Sequence, residues 1–357
     1  MPFPNGVPSV STMSRVLAGV DEEMVSLALT NWIGEIYNTR GIHIAIDGKG
    51  LRAAARKVRD EKTPYILNAI DVASKLVIGQ FVIHEKANEM TAIPELMELL
   101  EIEGSTITID AIGATGNIMN AIHDNGGEFV LQVKKNCPEL YGEIMRLFEG
   151  FSEDRENDPK EFQDKYGNNY SEAKTTEKNR ERYEYRTVQS YSDPGGIQED
   201  RPYIASVGRA KQVRIMQIQD NFGNDITPCL TKFLEEGSKK QPKRVTAEGT
   251  DSDAEWFGLV ASKVLNAEEM LDYKRKHWSI ENSLHYVLDE TFGEDKSTIK
   301  LGKNTMSILR KCAYNITRIL QMENPEGPES IPDMIDNVCD NLEIGLQMIF
   351  SPIPSQY

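Results

Sequence analysis

The feature that most constrains this chain is a series of short β-branched segments, two of which end in an aspartate. IHIAID (42–47), PYILNAIDV (64–72), KLVIGQFVI (75–83), STITIDAIG (105–113) and EFVLQVK (128–134) each have the composition of a strand. Between the later ones, apolar residues recur at helical spacing: Ile93, Leu96, Met97 and Leu100 within 91–102, then a second helix over 114–124. The predicted order is three strands, helix, strand, helix, strand. Strands joined through a helix run parallel with right-handed crossovers. Residues at the carboxyl ends of such strands share one crevice. Asp47 and Asp110 fall at two of those ends, so the chain is expected to be α/β with an acidic crevice.

Residues 21–38 read as an amphipathic helix with Asp21 as N-cap and Val25, Leu29, Trp32 and Ile36 on one face. Residues 151–175 are polar and acidic and are expected to form a loop or insertion. ERYEYRTVQSY, PYIASVGRA and QVRIMQIQD, between 181 and 235, alternate like antiparallel strands. KKQPKR (239–244) is a basic turn, and helices are expected over 251–290 and 303–322. ENPEGPESIP (323–332) reads as a linker before a short helix at 333–349. The organisation this predicts is a helical segment over 1–40, a core over 41–145 and a β-rich insertion over 146–250. The helical completion of the core covers 251–322, and an acidic tail covers 323–357.

No run of about 18 apolar residues exists, so no membrane span is expected. The first residues lack the basic-then-apolar order of a signal peptide. The four cysteines are far apart and form no CxxC pair, which fits a reducing, cytoplasmic setting. The net charge of −16 speaks against a nucleic-acid partner. That charge is segregated, however: residues 237–320 carry 14 Lys and Arg against 12 Asp and Glu. After Arg318 there is no basic residue, and Glu323, Glu326, Glu329, Asp333, Asp336, Asp340 and Glu343 make the tail acidic.

Metal-assisted phosphoryl transfer needs several carboxylates around two divalent ions, and oxygen ligands suit magnesium. Strand ends supply Asp47 and Asp110. A third carboxylate is available in DYKRKHWSIENSLHYVLDETFGED (272–295), where Ile280, Leu284 and Leu288 are spaced to bury one helix face beside Glu281. His277, Glu281 and His285 also share a face at i, i+4 spacing, but the HExxH order of a zinc hydrolase is absent. Singly, each carboxylate has an ordinary reading, the aspartates as turn residues and Glu281 as a solvated helix residue.

The wording of the motifs is more specific. AIDGKGLR (45–52), EKANEMTAIPELMELL (85–100), TIDAIG (108–113), RYEYR (182–186) and HWSIENSLHYVLDETFGED (277–295) resemble blocks of the DDE transposases. The likeness is to the ISAs-type branch of the insertion-sequence-4-like superfamily, which includes the H-repeat-associated proteins. The resemblance covers about residues 6–320. It implies an RNase H-like core, a mixed sheet with flanking helices, interrupted by a β-rich insertion and completed by C-terminal helices. It makes Asp47, Asp110 and Glu281 the catalytic residues and the ligands of two Mg2+ or Mn2+ ions. It implies transposon ends and target DNA as partners, a homodimer on DNA, and a bacterial, nucleoid-associated setting. Lys49, Arg52, Lys134, Lys135, Lys243, Arg244, Arg275, Lys276, His277, Trp278 and Asn282 are the expected DNA contacts.

The departures from the pattern are also definite. The family usually begins with a longer helical region, so this chain is expected to be N-terminally short. In the wider superfamily a Tyr, an Arg and a Lys flank the glutamate. Here His277 takes the Arg place, Tyr273 is one residue out of step and Leu288 takes the Lys place. Two other readings follow. One is an inactive DNA-binding relic, separated from the enzyme by magnesium-dependent nicking. The other is an RNase H-like nuclease that cuts without joining strands. A hydrolase of small phosphoesters suits the acidic charge but not the motifs.

Overall fold

A computed structural model describes residues 6, 8–51, 65–83, 89–110, 113–179, 182–197, 201–216, 256–297, 299 and 302–340. The chain divides into two compact units, one of residues 1–131 and 274–357, the other of residues 132–273.

The first unit contains the expected strands in the order β3-β2-β1-β4-β5. They are β1 (His43–Gly50), β2 (Tyr65–Asp71), β3 (Val77–Ile83), β4 (Thr106–Ile109) and β5 (Glu128–Val133). β1 pairs antiparallel with β2, and β2 with β3. β1, β4 and β5 run parallel, as the intervening helices α3 (Glu89–Leu99) and α4 (Gly116–Asp124) require. Two further helices, α1 (Val10–Ala18) and α2 (Glu22–Ile36), precede β1. Asp21 caps α2 by accepting from the Glu23 and Met24 amides, as its sequence position predicts. This mixed sheet with flanking helices is the RNase H-like α/β arrangement.

β2 turns tightly into β3. The Asp71 carboxylate accepts from the Ala73 and Ser74 amides and from the Tyr37 hydroxyl, and Lys75 adopts φ 68°. The outer edge of β3 would otherwise be an open hydrogen-bonding edge. It is covered from the long C-terminal helix of the unit, which runs Lys303–Glu323. The Asn315 amide in that helix both donates to and accepts from the Val77 backbone, at 2.8 and 2.9 Å. Ser26 of α2 donates to the Gln80 carbonyl on the same strand. The shorter helix Ile331–Asp340 follows and buries Ile331 and Met334. The rest of the helix expected over 333–349, residues 341–349, lies outside the described residues.

The second unit is built from α5 (Pro138–Asn157), α6 (Pro159–Tyr166) and the antiparallel strands β6 (Tyr170–Asn179), β7 (Arg182–Tyr191), β8 (Ser206–Met216) and β9 (Trp256–Ala261). Two expectations are corrected here. The polar stretch 151–175 is not a loop: it holds the end of α5, all of α6 and the start of β6. The apolar stripe Leu140, Ile144, Phe148 and Phe151 begins upstream of that stretch, and its polar residues are solvent faces and the Asp158 cap of α6. Residues 256–261, expected to begin a helix, form a strand on β8. A short, continuously apolar run has no periodicity that separates buried strand from buried helix. Arg209 of β8 lies over the rings of Phe148 and Trp256 and donates to Gln189 and Ser152, which makes it an internal strut of this unit.

Candidate active site

Asp47 and Asp110 are placed by strand register. The parallel ladder of β1 and β4 ends at the pair Ile46↔Ile109, so Asp47 and Asp110 are the next residues on two adjacent strands. Neighbouring strands lie about 4.8 Å apart, and residues in register point to the same face. Parallel pairing ends at this point, although β1 continues to Gly50 against β2, where Asp47 stands opposite Asn68.

Glu281 reaches the crevice from the helical segments that follow α7 (Ala267–His277). A single π-helical turn, Ile280–His285, leads directly into α8 (Tyr286–Glu290), and the Tyr286 amide donates to the Glu281 carbonyl. Such isolated π turns recur at functional sites. The expected apolar face is buried: Ile280, Leu284 and Leu288 pack with Ala45, Ile70, Val77 and Tyr314. That packing holds the turn onto the sheet and leaves Glu281 beside β1 with half its side chain exposed.

The carboxylates of Asp47 and Glu281 and the Nδ1 of His285 lie within 4.8 Å of one another. His285 Nδ1 is 3.5 Å from Asp47 and 3.4 Å from Glu281. Burial pushes the Asp47 carboxyl up to about 8, reinforced by the hydrogen bond and charge of Glu281 and by the charge of Asp110. Glu281 moves the other way, to about 2, chiefly through its hydrogen bond with His285. Of the two carboxyls, Asp47 is the one whose hold on a proton is raised. Asp110 is half exposed and has the Lys274 ammonium at 4.0 Å. Carboxylates close enough to raise one another's affinity for a proton suit a hard divalent cation, so the donor set fits the implied metal.

Behind this cluster lies a buried charge clamp. Lys49, two residues after Asp47, donates to the His285 carbonyl at 3.1 Å, pairs with Asp289 and stands 3.7 Å from Glu294. Glu294 accepts from Ser307, and the fully buried Lys311 donates to Ser307 and Gln80. The clamp ties β1 to the segment that carries Glu281.

Two of the expected DNA contacts are corrected by this arrangement. Lys49 is buried, its ammonium engaged by the clamp, so it is not presented to a phosphate. His277 is buried with Nδ1 at 3.1 Å from the Thr108 hydroxyl, and burial lowers its pKa to about 3. A neutral, enclosed imidazole does not replace the superfamily's arginine. Lys134, Lys135, Arg275, Lys276, Trp278 and Asn282 are exposed. Arg52, Lys243 and Arg244 lie outside the described residues. Asn68 and His285 joined the cluster without being expected there. The i, i+4 spacing of Glu281 and His285 was the available signal for His285, and the pairing of Asn68 with Asp47 depends on a β1–β2 register that strand composition does not specify. Among the described residues, no helix is long and apolar enough to cross a membrane.

Comparison with known proteins agrees with the geometry. The chain is 29% identical over 327 residues to YncI of Escherichia coli O157:H7, provisionally named a transposase, across 88% of this chain and 72% of the relative. It is likewise 29% identical over 318 residues to the H repeat-associated protein YhhI of Escherichia coli strain K12, also provisionally named a transposase, across 88% and 74%. A solved structure, the piggyBac transposase synaptic complex with hairpin DNA, aligns at a TM-score of 0.34 and 12% identity over 85% of this chain and 57% of that one. Residues 38–316 match the model of the transposase DDE domain, most of the chain and all three acidic residues among them, and the protein therefore belongs to the DDE transposase family.

Proposed function

We propose that this protein cuts DNA at the ends of a mobile element and joins the freed ends to target DNA, with Asp47, Asp110 and Glu281 holding two Mg2+ or Mn2+ ions. The observation that supports this reading is that Asp47 and Asp110 follow the last paired residues of adjacent parallel strands, and that Glu281 of the π turn clusters with Asp47. Bound divalent ions would activate the attacking oxygen and stabilise the leaving one. The residues' own contribution is positional. β1 and β4 fix the aspartates rigidly, and the π turn fixes Glu281 through Ile280, Leu284 and Leu288. Both steps, hydrolysis and attack by a 3′-hydroxyl, are in-line displacements at phosphorus, so one site serves both. Exposed Lys134, Lys135, Arg275, Lys276, Trp278 and Asn282 would contact the DNA backbone or an unpaired base. Two copies of the chain are expected on DNA, one at each end of the element.

The test is nicking and joining of DNA carrying the element's own ends, with Mg2+ or Mn2+ added. Activity should be abolished by chelation and reduced at least about 100-fold in Asp47→Asn, Asp110→Asn and Glu281→Gln. DNA binding without metal-dependent nicking would instead support a relic. The uncharged His277 and the buried Leu288, at places where the superfamily has cations, favour that second reading. Nicking without joining would identify a nuclease.

A further inference from the structure

We propose that His285 is itself a metal ligand, its Nδ1 completing the site of the ion held between Asp47 and Glu281. This assignment rests on the metal-dependent reading above and extends its ligand set from three carboxylates to three carboxylates and an imidazole.

Three observations carry it. First, Nδ1 stands at 3.5 Å from an Asp47 oxygen and 3.4 Å from a Glu281 oxygen. Donor atoms that share one cation with bonds of about 2.0–2.2 Å stand about 3–3.5 Å from each other, so an ion placed between the two carboxylates is within reach of this nitrogen as well. Second, the ring is enclosed and its backbone is held. His285 is buried, and the π turn that carries it is fixed by Leu284 on one side and by the Lys49 bond to the His285 carbonyl on the other.

Third, the far side of the ring is built to orient it. Asn68 is wholly buried on β2, with its amide nitrogen 3.4 Å from His285 Nε2, and its Oδ1 has no hydrogen-bond partner among the described residues. With the amide in this orientation Nε2 accepts, and Nδ1 carries the hydrogen toward the two carboxylates. Turning the amide by 180° exchanges its 3.3 Å bond to the Ile66 carbonyl for an Nε2–H donor to Oδ1. Nδ1 is then bare and directed at the ion. That tautomer shift moves one proton from Nδ1 to Nε2 and leaves the charge of the ring unchanged. A ligating histidine whose other nitrogen donates to a buried oxygen is the usual supporting arrangement around protein metal sites. An imidazole ligand also moves the preference of this position away from Mg2+ and toward Mn2+ and later transition ions.

The experiment is Mn2+ binding to the full chain, read by pulsed electron paramagnetic resonance for nitrogen coupling and by calorimetry against Mg2+. The expected result is 14N coupling that becomes 15N coupling when histidine is 15N-labelled and disappears in His285→Gln, with a severalfold fall in the Mn2+ to Mg2+ affinity ratio. Asn68→Asp, which keeps an accepting oxygen, should retain the coupling. Measurement on the unaltered chain remains decisive if His285→Gln does not fold. Bound Mn2+ that is lost in Asp47→Asn but shows no histidine coupling would overturn the assignment and leave the carboxylate site standing. Failure to bind Mn2+, or binding that is unchanged in both Asp47→Asn and Glu281→Gln, would overturn the assignment together with the reading it rests on.

Discussion

Asp47 shows how a residue suited to a metal weakens the metal-free fold. Its folded pKa of about 8 lies far above the ordinary aspartate value of 3.8. The native state therefore keeps a proton that the unfolded chain releases, and linkage makes stability fall as pH rises between those two values. Glu281 has the opposite sign: its stabilising contribution is present above its ordinary value of 4.5 and is lost as pH falls toward 2. In chelator, Tm should therefore decline from about pH 4 to pH 8. Asp47→Asn, which no longer titrates, should flatten that decline and be more stable at pH 8 by about 1–3 kcal/mol, the range for a buried polar group left uncompensated. Thermal melts of both proteins across that range check this; parallel pH profiles would contradict it. Divalent ion should displace the proton and restore stability to the unaltered chain only.

At the scale of elements, the π turn and the clamp behind it decide where Glu281 stands. Regular α-helical spacing puts His277, Glu281 and His285 on one face, and the expectation that His277 reaches DNA rests on its standing in the place of the superfamily's arginine. In the structure α7 ends at His277, whose ring bonds to Thr108, and only Glu281 and His285 turn toward Asp47. Helix type is not encoded in apolar periodicity over so few residues, whereas the burial of Ile280, Leu284 and Leu288 was legible from it. Leu284→Ala should cost about 2–5 kcal/mol, as large-to-small changes in a closed core do, measured by denaturant unfolding. Lys49→Met leaves Asp289 and Glu294 without their buried cation. Its expected cost is about 3–5 kcal/mol, whereas a Lys49 that served only to contact DNA would leave stability unchanged.

Across the whole molecule, the strand order and the two aspartates could be read in advance because β-branched runs and intervening helices constrain topology tightly. The register that sets Asp47 beside Asn68 could not, since it depends on pairing between segments distant in sequence. The second unit was less legible because the polar residues of 151–175 are the solvent faces of helices whose apolar stripe begins upstream, and because the apolar run of β9 has no periodicity that separates strand from helix. The acidic balance has a location: Asp333, Asp336 and Asp340 are exposed on a helix anchored by Ile331 and Met334. Removing the helix would uncover core, so the informative variant replaces the three aspartates with asparagine. It should bind DNA severalfold more tightly at low salt, with the gain fading as salt rises. Equal affinity at every salt concentration would show that this charge is remote from the DNA.

The most direct test of the central claim is anomalous diffraction from crystals of the full chain soaked in Mn2+. Two peaks about 3.5–4 Å apart, one between Asp47 and Asp110 and the other between Asp47 and Glu281, are the predicted result. Manganese bound elsewhere, with these three carboxylates empty at saturating concentration, would contradict the account.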